Sequence, residues 1–163
     1  MPRRQTEITF NLDGLEELRK KLGDQYVARV GILGGHAART DEESGLTNSE
    51  IGVIHEFGSD NAGIPPRSFL RMPVEHFKRE IMKSLATAKV KEAIDRGDVI
   101  TVFRVLGVAA EGFVKLAFNS GGFGKWPALK PETIARKGSS KPLIDTGQLR
   151  RSITSDVVKK GSF

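Results

Sequence analysis

The alternation of apolar and polar positions along the chain predicts a small β-sheet. Residues 26–33, with the sequence YVARVGIL, alternate around β-branched side chains, which is typical of a strand. Residues 5–10 and 153–159 are predicted to be further short strands. Asp13 and Glu16 have the spacing of a capping box and are followed by a stripe of leucines, so a first helix is predicted there.

Helical periodicity is longest in the middle of the chain. Apolar residues recur at intervals of three and four over residues 73–96 and again over 99–118, as they do on the buried face of a helix. We expect these segments to form an antiparallel hairpin over the sheet. Phe77 and Phe103 are expected to be buried in it, so that replacing either by alanine costs about 3–5 kcal/mol. The predicted fold class is α+β, a small mixed or antiparallel sheet packed by a long two-helix hairpin.

Two shorter helices are predicted from the residues at their ends. The first begins at Thr47 or Asn48, either of which can cap a helix. It ends before Gly58, a residue that tolerates a left-handed conformation, with Phe57 facing inward. The second covers about residues 131–137.

Two other segments lack apolar periodicity. Residues 34–46 are polar, and residues 119–142 are rich in glycine, proline and lysine. Such segments have little apolar surface with which to offset the entropy lost on ordering. Residues 1–163 are therefore predicted to form a single domain with a mobile loop at about 34–46 and an extended arm at about 119–142. Both are expected to become ordered on neighbouring subunits.

Asp145, Thr146 and Gly147 spell the signature of an aspartic protease half-site, in which two aspartates share a proton across a dimer. Catalysis of that kind needs the loop inside a β-domain, but the residues after it have a helical pattern. We therefore expect Asp145 to be structural, either an arginine partner or the cap of a short helix over about 145–152, with Gln148 completing a capping box.

Other chemical motifs are incomplete. His55 and Glu56 begin like the zinc-protease pattern H-E-x-x-H, but Ser59 stands where the second histidine is needed. Neither a phosphate-binding loop nor a short metal-ligand spacing is visible, and histidines are expected to be exposed or half-buried. The sequence predicts no catalytic residues, no metal site and no cofactor, and hence a protein that is not an enzyme.

The composition narrows the cellular context. The chain has 163 residues and no cysteine, so disulfides and thiolate metal sites are excluded, in keeping with synthesis in a cytoplasm. No apolar run approaches the ~20 residues that cross a bilayer. The start, MPRRQTEITF, lacks the apolar stretch of a signal peptide. We expect no membrane association.

The formal net charge of +6 raises an alternative function, a basic nucleic-acid-binding module. The densest basic stretch lies within residues 123–151 and includes Phe123 and Trp126, which could stack on bases. A lone tryptophan more often anchors a loop to a core or an interface, and we favour that interpretation. Salt-dependent affinity for DNA would support the alternative.

Three segments together resemble a known family. They are IGVIHEFGS at 51–59, IPPRSFLR at 64–71, and the stretch 126–153, which contains WPALKPETIARKG and KPLIDTGQLRRSI. The pattern resembles the phage virion morphogenesis family, the tail completion proteins of Mu-like phages and related neck or tail-component proteins of long-tailed phages. The segments cover about half of the chain and occur in the expected order.

The resemblance implies a structural protein of a tailed-phage virion that joins or seals the tail at the head–tail junction. It implies an oligomeric ring, with a hexamer favoured over a dodecamer, made in the host bacterial cytoplasm and located in the virion neck or tail. Neighbouring neck, tail terminator or tail tube proteins are the implied partners, and DNA could pass through the ring without specific binding.

Assembly or interface residues are expected within the resembling segments. Pro65 and Pro66 stiffen the second segment, with Phe69 pinned to the core and Arg67 and Arg71 left at the surface. Glu56 and Asp145 are the candidate partners of such arginines, either within the subunit or across a ring interface. The complete set of interface candidates is Glu56, Phe57, Arg67, Phe69, Arg71, Trp126, Asp145, Arg150 and Arg151.

Overall fold

The computed structural model describes residue 20, residues 22–42 and residues 44–162. The strand predicted at 5–10 lies outside this range, as does nearly all of the helix predicted after Asp13. The described elements are the strands β1 (Tyr26–Ile32) and β2 (Ile153–Lys159) and the helices α1 (Gly35–Ala38), α2 (Asn48–Phe57), α3 (Arg71–His76), α4 (Lys78–Lys83), α5 (Ala88–Asp95), α6 (Val99–Asn119), α7 (Pro131–Lys137) and α8 (Gln148–Arg151).

The two strands form an antiparallel sheet that joins the two ends of the described chain. Pairing runs from Tyr26 opposite Lys159 to Ile32 opposite Ile153. On one face, Arg29 donates to both carboxylate oxygens of Asp156, at 2.9 and 2.6 Å, a cross-strand pair of the kind that fixes register. A small antiparallel sheet within an α+β fold was predicted, and the structure confirms it.

The long helix α6 packs against both strands and organises the molecule. Asp98 caps its first turn, because the Asp98 side chain accepts a hydrogen bond from the Thr101 amide at 3.1 Å. Glu111 in its middle accepts from the Ser155 hydroxyl of β2 at 2.8 Å. No helix in the described part of the chain has the length and apolar content needed to cross a membrane.

The buried core forms two clusters along α6. Leu85, Val90, Ala93 and Val102 surround the start of the helix. The second cluster surrounds its end and consists of Phe69, Val114, Phe118, Leu149 and Ile153. Phe69, Leu149 and Ile153 come from the segments that resemble the phage family.

The first of the two predicted long helices is wrong, because the span 73–96 is broken into α3, α4 and α5. Phe77 leaves the helical conformation, with φ −101° and ψ 20°. Ser84 then turns its hydroxyl back onto the Ile81 carbonyl at 2.6 Å. Thr87 is extended and caps a new helix through the Val90 amide. Serine and threonine compete for backbone groups in this way and end helices, so α6 is covered by short helices.

Phe77 and Phe103 are both half-buried, which corrects the expectation that they lie in the core. The Phe77 ring stacks on Phe113, with centroids 4.5 Å apart, and Phe103 lines an open groove beside β1. Because their rings keep solvent contact, truncating either one should cost less than the figure for a fully buried phenylalanine.

Candidate functional site

The segments that carry the family resemblance meet in one region, although they are far apart in the sequence. The second core cluster, at the end of α6, is surrounded by the end of α2, the stretch 64–71, Trp126 and the turn before α8. Gly58 allows the end of α2 to contact the stretch 64–71, since a Cβ on it would lie 2.9 Å from both the Ile64 carbonyl oxygen and the Pro66 nitrogen. Residues with side chains would hold these backbones apart.

Glu56 is the polar centre of this region and is only 6% exposed. Its carboxylate sits at the start of α3, where backbone amides have no helical partner. The expectation that it pairs with an arginine side chain of the same subunit is wrong, because its two oxygens are already occupied. They accept hydrogen bonds from Ser68 Oγ at 2.7 Å and from the amides of Phe69, Leu70 and Arg71 at 2.9, 2.9 and 3.1 Å.

Arg67 is buried and only 4% exposed, which contradicts its predicted surface position. Its Nε donates to the Pro127 carbonyl at 2.9 Å and its Nη2 to the Ala128 carbonyl at 3.1 Å. Burial lowers the pKa of the guanidinium from its ordinary value. Arg67 takes part in none of the four ion pairs found in the described residues. It therefore clamps the backbone after Trp126 but lacks a carboxylate partner within the part of the chain described.

Trp126 anchors the arm to the body. Its indole Nε1 donates to the Ser68 carbonyl at 3.1 Å, and its ring meets Phe118 edge-on with centroids 5.9 Å apart. Gly122, at φ 66°, lies beneath the indole, where a Cβ would come within 2.3 Å of it. These contacts agree with the anchor interpretation and occupy the ring that the nucleic-acid alternative needs for stacking.

Asp145 does not cap a helix, so the cap prediction is wrong. Helix α8 begins only at Gln148, and Gly147 occupies the cap position with φ 76° and no side-chain cap. The short helix starts too late for the Asp145 carboxylate to reach its first amides. Asp145 is exposed, and its charge favours the protonated form of nearby Lys137.

Gln148 makes a long-range contact in place of the predicted capping box. Its amide donates to the side-chain oxygen of Asn48 at 2.8 Å, and Asn48 itself donates to the His36 carbonyl at 2.9 Å. Asn48 is 1% exposed. This link between α8 and α2 was missed, because a cap and a buried bridging amide have the same local sequence.

Most of the remaining predicted residues are exposed. Phe57 is 67% exposed, which corrects its predicted inward orientation, whereas Phe69 is buried as expected. Arg71 and Arg151 are exposed and Arg150 is half-buried. The structure thus gathers part of the predicted set around one buried carboxylate and leaves the rest on the surface.

His55 is a half-buried member of the region that sequence reasoning did not select. Burial, followed by the charges of Arg67 and Lys137, lowers its pKa from 6.5 to about 4. Its Nδ1 is buried without a hydrogen-bond partner among the described residues. The ring is therefore neutral at pH 7 and lies in a positive electrostatic environment. Nothing in the sequence around it signals this burial.

The low pKa of His55 predicts a loss of stability in mild acid. In the unfolded chain the imidazole titrates near 6.5 and in the folded chain near 4, so between these values the unfolded state binds more protons. The free energy of unfolding should fall by up to about 3 kcal/mol from pH 7.5 to pH 4. Urea unfolding across this range should show a smaller fall in His55→Gln. The same fall in both proteins would contradict the assignment.

The described residues contain no group of three or more histidine, aspartate or glutamate side chains that could hold a metal ion. Comparison with protein families, curated proteins and solved structures finds no match to this chain.

Proposed function

We propose that the chain is a structural protein of a tailed-phage virion, a tail completion or neck protein that acts in an oligomeric ring at the head–tail junction. The proposal starts from the resemblance of residues 51–59, 64–71 and 126–153 to the virion morphogenesis family. One observation carries it further: these segments contact one another around Glu56, through side chains that the resemblance includes.

The chemistry of the cluster supports a structural role. A general acid or base must exchange a proton with a substrate, but both oxygens of Glu56 are held by four donors within the chain. Arg67 and Trp126 are likewise used to hold backbone carbonyls. These residues fix the shape of the surface above them.

Two separate apolar patches are exposed among the described residues. The α2 patch consists of Val53 and Phe57, 59% and 67% exposed and one helical turn apart. The α6 patch consists of Val108, Gly112 and Leu116, which are all exposed at four-residue spacing. A closed ring needs two different patches that meet head to tail. We assign the α2 patch of one copy to the α6 patch of the next.

Phe57→Asp is expected to abolish the ring, because it places a charge in the middle of an apolar contact. Loss of a central aromatic at an interface typically costs about 2 kcal/mol or more, and each copy carries the change. Native mass spectrometry and light scattering should show rings for the wild type and for Phe57→Leu, and monomers for Phe57→Asp with unchanged circular dichroism. A wild type that stays monomeric at high concentration would contradict the proposal.

The head-to-tail arrangement has a sharper test. Val108→Asp should also give monomers, since it damages the opposite side of the same contact. A mixture of Phe57→Asp and Val108→Asp still contains one intact pair of patches, so it should give dimers and nothing larger. If the mixture remains monomeric, the two patches do not meet each other.

A further inference from the structure

A cavity of about 490 Å³ lies between α2, α7 and the turn before α8. Apolar side chains, among them Ile51, Ile54 and Leu149, form part of its wall. Three cationic side chains, Arg67, Arg136 and Lys137, also face it. The cavity therefore combines an apolar wall with a concentrated positive charge.

The positive charge in this cavity is not balanced by the described acidic residues. Buried charges in proteins are normally paired, but buried Arg67 binds only two backbone carbonyls. Burial lowers the pKa of Lys137, the charge of Arg67 lowers it further, and Asp145 only partly opposes this. Asp145 is exposed, and Asp41 accepts hydrogen bonds from its own loop at Ser44.

The state of His55 reports the same electrostatic environment. Its imidazole lines the cavity and stays neutral at pH 7 because burial and the two nearby cations disfavour its charged form. Its Nδ1 is buried and has no hydrogen-bond partner among the described residues, so a ligand in the cavity meets the ring without a further positive charge on it.

We infer that this cavity binds a carboxylate carried on a short apolar stem, with the carboxylate between Arg67 and Lys137 and the stem against the isoleucines of α2. Arg67, Arg136 and Lys137 line the cavity together with Asp41 and Asp145, so one positive charge is left over, and a single carboxylate matches it. A strongly hydrated dianion such as phosphate fits the apolar wall poorly, because its desolvation is expensive. The carboxylate can belong to a free aliphatic acid or to a glutamate side chain of a peptide. This inference does not depend on ring formation.

The test uses 4-methylpentanoate as the probe, followed by NMR of the His55 ring in the intact chain. The His55 ring signals should shift and reach saturation as the acid is added. The affinity should fall as the salt concentration is raised, because screening reduces the attraction between partly exposed charges. The uncharged 4-methylpentanol should bind at least about fivefold more weakly than the acid, as expected when a charge-assisted hydrogen bond is lost.

Variants that remove a positive or a negative charge distinguish binding in this cavity from general attraction of the acid to the basic surface. Because Arg67 also holds the backbone at 127–128, Lys137→Gln is the informative loss, with the affinity for the acid falling about fivefold. Asp145→Asn removes the opposing charge and should raise the affinity about twofold. Lys130→Gln changes an exposed lysine outside the cavity and should leave the affinity unaltered.

Three outcomes would overturn the inference: equal binding of the acid and the alcohol, tighter binding of inorganic phosphate than of the acid, or equal effects of Lys137→Gln and Lys130→Gln.

A second titration, with the blocked peptide acetyl-Leu-Glu-Leu-amide, identifies the source of the carboxylate. Binding more than about tenfold tighter than the free acid points to a peptide, since flanking residues add contacts. Weaker binding points to a free acid.

Discussion

Glu56→Ala is expected to lower the free energy of unfolding by about 3–5 kcal/mol, because it leaves three buried or partly buried backbone amides and a hydroxyl without their acceptor. The carboxylate currently accepts four hydrogen bonds, three of them from consecutive amides at the start of α3. Small domains are stable by about 5–15 kcal/mol in total, so the variant should lose a large share of its stability. Urea unfolding followed by circular dichroism would measure the loss.

Two controls separate the hydrogen bonds from the charge and from the helix. Glu56→Gln keeps one acceptor oxygen but turns an NH₂ group toward the amides, so its cost should lie between those of the wild type and the alanine variant. Glu75→Ala removes an exposed carboxylate from α3 itself and should change stability by less than about 0.5 kcal/mol. A cost for Glu56→Ala as small as that for Glu75→Ala would show that water replaces the carboxylate.

The effect should also reach beyond α3. Ser68 donates to Glu56 and accepts from the Met72 amide at 2.9 Å, and its carbonyl holds the indole of Trp126. Losing the carboxylate therefore frees the stretch to which the arm is anchored. We expect faster hydrogen exchange at the Trp126 indole in Glu56→Ala than in Glu75→Ala.

The elements that the sequence predicted well are those specified by local chemistry. Strand β1 ends one residue before the predicted limit and β2 matches it. Helix α2 has the capping box at Thr47, and α7 has the predicted bounds. In each case the apolar spacing and the end residues agree, so the same local structure is favoured before any tertiary contact forms.

The predicted helix over 73–96 failed because periodicity outweighed a local stop signal. Its apolar residues do face the core in part, with Ile81, Leu85 and Val90 buried, so the stripe was real. The helix is nevertheless interrupted at Ser84 and Thr87, because both hydroxyls bind backbone groups. A threonine three residues before a new apolar run is also a capping signal.

Several residues of the cluster around Glu56 were singled out from the sequence, but their contacts were not predicted. Glu56 and Arg67 lie close to each other along the chain and carry opposite charges, so a pairing between such groups was the natural expectation. In the structure each binds backbone groups instead, Glu56 the amides of α3 and Arg67 the carbonyls at 127–128. Main-chain partners leave no trace in residue identity, and burial of a charge depends on the tertiary fold.

The orientation of Phe57 was missed for a related reason: an apolar residue at a helix end suits a core and an interface equally well.

Phe69→Ala is expected to cost about 3–5 kcal/mol, the range for a fully buried phenylalanine whose cavity cannot collapse. Phe69 is 1% exposed and its ring lies 5.1 Å from that of Phe118 at a tilt of 51°. Collapse is hindered because Glu56 holds the Phe69 amide at 2.9 Å. Chemical denaturation would give the loss, and the denaturant dependence should stay unchanged if the folded state remains compact.

Phe103→Ala is the control for Phe69→Ala. It shows whether the loss of unfolding free energy depends on burial in the cluster around Glu56 or only on the apolar area removed. Phe103 has the same side chain and lies on the long helix α6, but it is half-buried against an open groove. Solvent already reaches that ring, so its removal should cost about 1–2 kcal/mol. Phe69→Leu, which retains much of the volume, should lie between the wild type and Phe69→Ala. Equal losses for Phe69→Ala and Phe103→Ala would mean that the segment 64–71 can move inward to fill the space, and that the hydrogen bonds from Glu56 do not hold it in place.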